Sequence, residues 1–221
     1  MNTNSLRRGS ARSLALGLLL VLACGTLHGQ SRVSWGVRSE ANLSGFIVRQ
    51  SNVVFSHMHP GATLGGFVRF DLPENFFLQG ELLFHYKWSK MEVLHVSNTY
   101  QYGGEEISFY VGYQWRMASL QWYAGAGMVG EFGYCAWLTN DHVRLDLYRK
   151  KGPSALSAMK SRNSAVGAML GVELPCGVQI QVGYRVDVVN VLDANRSLLT
   201  LLPHSVSIGV GYRFGQKRAE R

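Results

Sequence analysis

Apolar and polar residues alternate along most of the chain. The alternation runs through eight segments: residues 33–44, 63–71, 78–88, 106–116, 120–138, 164–174, 178–188 and 206–214. Successive side chains of a β-strand point to opposite faces of its sheet, so a period of two predicts strands with one apolar and one polar face. The helical period of 3.6 does not appear in these segments. The pattern therefore predicts an all-β fold of eight strands.

The connections between the predicted strands alternate in length. Three are tight turns, at residues 72–75, 116–119 and 175–177. Four are long loops, at residues 46–60, 89–104, 139–163 and 189–204. Short turns at one end of the strands and long loops at the other are typical of outer-membrane barrels, in which consecutive strands run antiparallel.

The direction of the apolar faces separates two kinds of barrel, because a soluble barrel of the lipocalin type would show the same alternation inside out. Strands of about ten residues fit a tilted membrane crossing. Glycines on the polar faces fit a narrow lumen. Aromatic residues lie near the ends of the apolar faces, as in the girdles of membrane barrels: Trp35, Tyr86, Trp88, Tyr113, Trp115, Trp122, Tyr212 and Phe214. We predict an eight-stranded antiparallel up-and-down transmembrane β-barrel over residues 30–214, with 215–221 as a basic periplasmic tail.

The first 29 residues have the features of an export signal. Three arginines precede an apolar run at residues 14–24, which is too short to span a bilayer and has the length of the apolar part of a secretory signal. We predict general secretion and cleavage after Gly29. Two alternatives stay open: twin-arginine export through Arg7 and Arg8, and lipidation of Cys24.

The composition agrees with a barrel surrounded by lipid, which solvates charged side chains poorly. Of the 221 residues, 47% are hydrophobic and 16% are charged, and the 25 glycines follow no fixed period. An ordinary soluble domain is about 25% charged. The same values exclude a disordered chain, a collagen-like chain and a coiled coil.

Four segments of the predicted strands carry a family resemblance: GVRSEANLSGF at residues 36–46, LQGELLF at 78–84, YAG at 123–125 and GYRF at 211–214. In this order they resemble the PorT-like outer-membrane β-barrel family that is common in Bacteroidetes. The family's namesake members are implicated in protein secretion. The resemblance therefore implies an integral barrel of the outer membrane that is a structural or accessory component of an envelope or secretion assembly.

Charged residues of both signs occupy the polar faces of the predicted strands. They are Arg38, Glu40, Arg69, Asp71, Glu81, Glu106, Arg116, Glu131, Glu173, Arg185, Asp187 and Arg213. An unpaired buried ion costs several kcal/mol, so charges in a narrow lumen have to pair. We expect a network of ion pairs that plugs the lumen. A selective conduit is the alternative.

One group of polar residues contains the parts of an activated nucleophile. His85 and Glu106 lie near Ser108 on neighbouring predicted strands, which would supply a base, an orienting carboxylate and a nucleophile. A lipid- or peptide-hydrolysing barrel is therefore an alternative, although an inward histidine among carboxylates is more often an ion-pair partner. His57 and His59 lack a third metal ligand at a fixed spacing. We expect a protein without enzymatic activity, metal or cofactor.

The third long loop is rich in basic residues: Arg144, Arg149, Lys150, Lys151, Lys160 and Arg162. We expect this loop to be exposed and to face the phosphates of lipopolysaccharide in the outer membrane or an acidic partner protein. The second possibility describes a surface interaction or adhesion barrel that acts through its loops. Nucleic acid is not expected as a partner, and the sequence does not decide the oligomeric state.

Two further features concern the ends of the predicted barrel. Residues 198–202 of the fourth loop are largely apolar, so they either extend a strand or dock on a partner. Cys135 lies near the loop end of its strand and Cys176 in a turn at the opposite end. A disulfide needs Cα atoms about 4.4–6.8 Å apart, so we predict that both thiols are free.

Overall fold

The computed structural model describes six stretches of the chain: residues 33–49, 54–93, 96–139, 144–148, 159–192 and 200–215. Their strands are β1 (Val33–Arg49), β2 (Val54–Asp71), β3 (Phe76–Val93), β4 (Val96–Met117), β5 (Leu120–Thr139), β6 (Arg144–Asp146), β7 (Arg162–Glu173), β8 (Val178–Asp187) and β9 (Thr200–Phe214). The export signal, Cys24 and the basic tail from residue 216 onward lie outside these stretches. Within them, no helix is long and apolar enough to span a membrane.

Eight of the strands close into a ring. They follow the order β4-β3-β2-β1-β9-β8-β7-β5, and the pairing of β4 with β5 closes the sheet. The chain's first and last strands meet from Trp35 opposite Phe214 to Arg49 opposite Thr200. Among the described strands, closure leaves no long unpaired edge, which a sheet in lipid cannot tolerate. The prediction of an eight-stranded antiparallel barrel is confirmed, and β6 is an addition that pairs with the end of β5 in the third loop.

The two faces of the barrel wall differ in polarity as predicted for a membrane protein. In β3, Gln79 and Glu81 point inward and are buried, whereas Leu78 and Leu82 point outward and are exposed. The most exposed large apolar side chain on the outside is Met128, at 71%. A soluble barrel would have the opposite arrangement. The outer face is therefore a lipid-facing surface.

Aromatic rings border the lipid-facing surface at both ends. At the end of the short turns, the rings of Trp35 and Phe214 stack with centroids 4.3 Å apart. Toward the loop end, the rings of Tyr86 and Trp88 meet edge to face at 4.8 Å. Such rings lie at membrane–water interfaces because one part of them is apolar and another tolerates water.

The three tight turns lie where the sequence predicts them. The β2–β3 turn contains a short 3-10 segment, Pro73–Asn75, and the β7–β8 turn contains Gly177 at φ 90°. Left-handed backbone at Gly177 carries no Cβ penalty. These turns join β2 to β3, β4 to β5 and β7 to β8 at the same end of the barrel.

The first two long loops are much shorter than predicted, which is a correction. β1 continues to Arg49 and β2 begins at Val54, while β3 reaches Val93 and β4 begins at Val96. The strict alternation stops earlier because strands that rise above the lipid no longer need an apolar outer face. We call the raised parts of β2 to β5, residues 54–62, 85–93, 96–104 and 132–139, the loop-end wall.

The loops fold inward above the short strands β7 and β8. Backbone hydrogen bonds run from Leu147 N to Ala136 O at 2.9 Å, from Met159 N to Leu147 O at 3.2 Å and from Val191 N to Leu201 O at 3.1 Å. Together with a bond from Lys160 N to Val191 O, they connect β5 to β9. The predicted strand extension in the fourth loop is confirmed from Thr200 onward, and residues 198–199 lie outside the described stretches.

These inward segments build an apolar core on top of the lumen. Its buried side chains are Phe46, Met91, Tyr102, Ala136, Leu147, Met159, Val191 and Leu201. They come from five barrel strands and from the third and fourth loops. We call this group the upper core.

We expect Gly127→Ala to destabilise the barrel by about 2 kcal/mol, because an added Cβ would collide with the backbone carbonyl oxygen of Phe109. Gly80→Ala is the matched control. Its Cβ would point to the outside, where the nearest atom, in the Phe109 ring, would be 3.7 Å away. We expect it to change stability by less than about 0.5 kcal/mol. Urea unfolding in lipid vesicles measures both, and equal effects would contradict the packing account.

Candidate functional site

The buried charged side chains of the described strands are concentrated in the lumen of the barrel. Inward positions of the strands place arginine, lysine and carboxylate side chains toward one another, and Arg69 and Glu106 are completely buried. Water does not solvate these ions, so neighbouring side chains have to do it. The arrangement of side chains in the lumen is therefore determined by the pairing of opposite charges.

Glu106 of β4 is the centre of the upper part of this network. Lys87 Nζ donates to its Oε1 at 2.5 Å, and Arg185 Nε lies 3.5 Å from its Oε2. His85 Nδ1 lies 3.2 Å from Oε1. Lys87 also donates to Glu131 at 3.0 Å. Glu106 thus joins β3, β4 and β8 through charge.

The network continues toward the middle of the barrel through Glu40. Arg185 donates to Glu40 at 3.0 Å, and the Arg38 guanidinium lies 3.8 Å from the same carboxylate. Arg38 in turn donates to Glu81 at 2.5 Å. Gln79 also donates to Glu81, at 2.6 Å. An unbroken chain of contacts therefore crosses the lumen from Glu131 to Gln79.

A second cluster lies near the short turns. Arg213 donates to Glu173 at 2.9 Å and to Asp71 at 3.5 Å. Gln179 supports it by donating to the other oxygen of Glu173 at 2.6 Å. This cluster joins β9 to β7 and β2.

Arg69 is held mainly by aromatic rings. Its guanidinium carbon lies 4.2 Å from the Phe77 ring centroid and 4.4 Å from the Tyr123 ring centroid. Its Nε donates to Gln79 at 2.7 Å, which connects it to the central chain. Cation–π contacts with two rings compensate part of the lost hydration.

Most of the charges predicted for the lumen lie there, with two corrections. Arg116 is exposed at the end of β4, beside the turn, and is not part of the buried network. Lys87 is an addition to the predicted set, and its position on the inward face of residues 78–88 is the sequence signal that identifies it. Asp187 is buried and accepts a hydrogen bond from Asn163.

The candidate nucleophile is not assembled. His85 and Glu106 are in contact, but the buried Ser108 Oγ has no hydrogen-bond partner and so does not reach a base. Ser108 is instead directly opposite Glu81 in the β3–β4 register. The pair formed by His85 and Glu106 therefore acts as part of the ion network.

Metal ligands and thiols do not converge in the described stretches. No group of three or more His, Cys, Asp or Glu side chains there is placed to hold a metal ion. His57 and His59 lie on β2, with His57 exposed. Cys135 and Cys176 are free, the first on β5 opposite Gly103 and the second in the β7–β8 turn.

The basic residues of the third loop have separate environments. Arg144 is exposed on β6, and its guanidinium carbon lies 4.5 Å from the Trp137 ring centroid. Lys160 donates to the Asn190 carbonyl oxygen at 3.1 Å, and Arg162 is exposed at the start of β7. The three remaining candidates, Arg149, Lys150 and Lys151, lie outside the described stretches.

A small cavity separates the ion network from the upper core. Its volume is about 20 Å³, and His85, Glu131, Tyr148 and Met159 contribute to its lining. This is room for about one water molecule. Burial raises the pKa of Tyr148 to about 12, so its hydroxyl stays neutral at physiological pH.

Comparison with known proteins agrees with this architecture. The family model described as "Outer membrane protein beta-barrel domain" matches residues 14–214. None of the curated proteins matches the sequence.

Solved structures with a similar chain path have little sequence identity. Neisserial surface protein A is 12% identical, with 82% of this chain and 99% of that chain covered and a TM-score of 0.46. Ail, the attachment invasion locus protein of Yersinia pestis, is 12% identical, with 82% of this chain and 98% of that chain covered and a TM-score of 0.42. OprG from Pseudomonas aeruginosa is 10% identical, with 83% of this chain and 96% of that chain covered and a TM-score of 0.44.

The family match extends over nearly the whole described barrel, and the ring of eight strands has the architecture that the family's description names. The chain therefore belongs to the outer membrane protein beta-barrel domain family and is an outer-membrane barrel.

Proposed function

We propose that this protein is a non-conducting barrel that serves as a structural or accessory component of an envelope or secretion assembly. The observation that carries the proposal is the sealed interior. The resemblance to PorT-like barrels supports the assembly role, since that family's namesake members are implicated in secretion. Residues 1–29 would direct export and would be removed from the exported chain.

The interior is blocked at two levels. The ion network fills the lumen from Asp71 near the turns to Glu131 near the loops, and the upper core lies above it. Eight strands leave an interior just wide enough for side chains. A solute would have to displace both the paired ions and the apolar side chains, so transport through the barrel is disfavoured.

A surface interaction role is the second candidate. The loop-end wall rises beyond the lipid-facing surface and exposes apolar side chains there, with Phe55 at 60% and Met58 at 38% exposure. These two residues lie on β2, six or more positions beyond the lipid-facing Leu64. Exposed apolar groups at this height favour contact with another protein. We propose no catalytic role for His85, Ser108 or Glu106.

We expect the purified barrel to add no conductance to a planar lipid bilayer, because paired ions and the upper core fill the described part of its lumen. Single-channel recording after insertion measures this. Heat-modifiable migration in the same preparation verifies that the inserted protein is folded. Reproducible conductance steps from the folded protein would contradict the sealed interior.

We expect Glu106→Gln to lower the free energy of unfolding by about 3 kcal/mol, because it removes the charge that Lys87 and Arg185 share inside the lumen. Glu74→Gln is the matched control. Glu74 is exposed in the β2–β3 turn, so its substitution should cost less than about 0.5 kcal/mol. Urea unfolding in vesicles compares the two, and a Glu106→Gln barrel as stable as the control would refute the role of the network.

We expect gentle detergent extraction of the native outer membrane to recover the tagged barrel with a defined partner protein. Phe55→Ser should weaken that recovery if the partner contacts the loop-end wall, and it should leave the heat-modifiable band unchanged. Leu64→Ser, on the lipid-facing surface, is the control for a general loss of apolar area. A folded barrel that always migrates alone would rule out the assembly role.

A further inference from the structure

Two tryptophans and a glutamine form a row on the outside of the loop-end wall. Trp88 of β3 lies opposite Gln101 of β4, and Gln101 lies opposite Trp137 of β5. Their chain neighbours Lys87, Ser89, Tyr102 and Ala136 are buried, so the three side chains of the row point outward and are partly exposed. Neighbouring strands are about 4.8 Å apart, which places the two tryptophan backbones roughly 10 Å apart. We call this group the aromatic row.

Neighbouring side chains hold the aromatic row in place. The Tyr86 ring meets the Trp88 ring edge to face at 4.8 Å, and its hydroxyl donates to Gln101 Oε1 at 3.4 Å. The Arg144 guanidinium carbon lies 4.5 Å from the Trp137 ring centroid. The amide NH₂ of Gln101 is left to donate to a ligand. A surface that is ordered before binding loses less entropy when it binds.

A second row runs directly above the first and has a cation at each end. The register places Lys90 opposite Thr99, Thr99 opposite Thr139 and Thr139 opposite Arg144. Lys90 and Arg144 are both exposed. We call this group the cationic row.

Two acidic residues flank the rows on the same outer face: Asp146, two residues from Arg144, and Glu92, two residues from Lys90. Both are engaged in further interactions of their own. Asp146, which lies beside Trp137 in the β5–β6 register, accepts a hydrogen bond from Tyr148 N at 3.0 Å. The two rows therefore combine aromatic faces, an amide, hydroxyls and two cations on one surface.

The position of both rows relative to the membrane restricts what they can contact. Phe84 is exposed on the lipid-facing surface of β3, and Trp88 lies four residues further toward the loop end. At about 3.3 Å per residue along a tilted strand, Trp88 lies about 10 Å above Phe84. In an outer membrane with the short turns in the periplasm, both rows then lie at and above the outer membrane–water interface, where the headgroups of outer-leaflet lipopolysaccharide lie.

The chemistry of the two rows suits a phosphorylated sugar. Indole faces pack against the C–H faces of pyranose rings, while the amide and hydroxyl groups bond to sugar hydroxyls. Lysine and arginine bind phosphate through charge-assisted hydrogen bonds. We propose that the aromatic row and the cationic row bind the phosphorylated core saccharide of lipopolysaccharide in the leaflet around the barrel. This inference goes beyond the proposed function and holds whether or not the barrel conducts.

The test measures binding of the full-length barrel in lipid nanodiscs to two lipopolysaccharides that share one lipid A. One has the complete phosphorylated core and the other lacks the core. We expect the unsubstituted barrel to prefer the complete form by about tenfold, and the Trp88→Leu/Trp137→Leu variant to reduce this preference to roughly twofold or less. Lys90→Gln/Arg144→Gln should reduce the preference for a phosphorylated over a dephosphorylated core.

Trp35→Leu is the matched control, because Trp35 is equally outward-facing but lies at the end of the short turns. It should keep the full preference, and heat-modifiable migration should show that every variant is folded. Equal binding of the two lipopolysaccharides by the unsubstituted barrel would overturn the proposal, as would an undiminished preference in the double tryptophan variant. Equally tight binding of a soluble sulfated glycan would also overturn it, in favour of a glycan receptor that acts outside the membrane.

Discussion

The pairing of buried charges is the constraint on which the rest of this barrel depends. A ring of eight strands is wide enough for side chains and too narrow for bulk water, so an inward ion is solvated by partners from other strands. Glu106 of β4 meets Arg185 of β8, and Arg213 of β9 meets Glu173 of β7. These strands share no backbone hydrogen bonds. The ion pairs therefore cross-link the wall through its interior while the backbone closes it along its circumference.

The same constraint makes the register unambiguous, and this explains why so much of the fold could be predicted from sequence. A slip of one residue would turn every charge toward lipid and every apolar side chain toward the ions. Selection against that error leaves a strict period of two wherever lipid surrounds the wall, as in residues 78–88 and 206–214. Above the lipid the requirement ends, so the strand character of residues 89–93 and 96–104 could not be predicted from alternation.

The contacts inside the lumen depend on information that a single strand does not contain. Arg185 and Glu40 are 145 positions apart, and they meet only because β8 and β1 are both neighbours of β9. Sequence patterns could assign each charge to the inward face, yet pairing depends on height along the barrel. Arg116 shows this, since it has inward parity but lies at the rim, where water solvates it. Ser108 is a second example. Its strand position suggests a place near His85, but the residue directly opposite it across the sheet is Glu81.

A sealed interior moves the chemistry of the protein to its outer surface. About ten residues suffice for a strand to cross the membrane, whereas β3 has 18 and β4 has 22. The surplus is hydrogen-bonded sheet rather than loop, and the inward-folded loop segments of the upper core support it from within. The backbone of this surface is hydrogen-bonded within the sheet, so it is ordered before any binding. The long strands are therefore best explained as a rigid support for contacts above the lipid, and the ion network is what keeps that support fixed in the membrane.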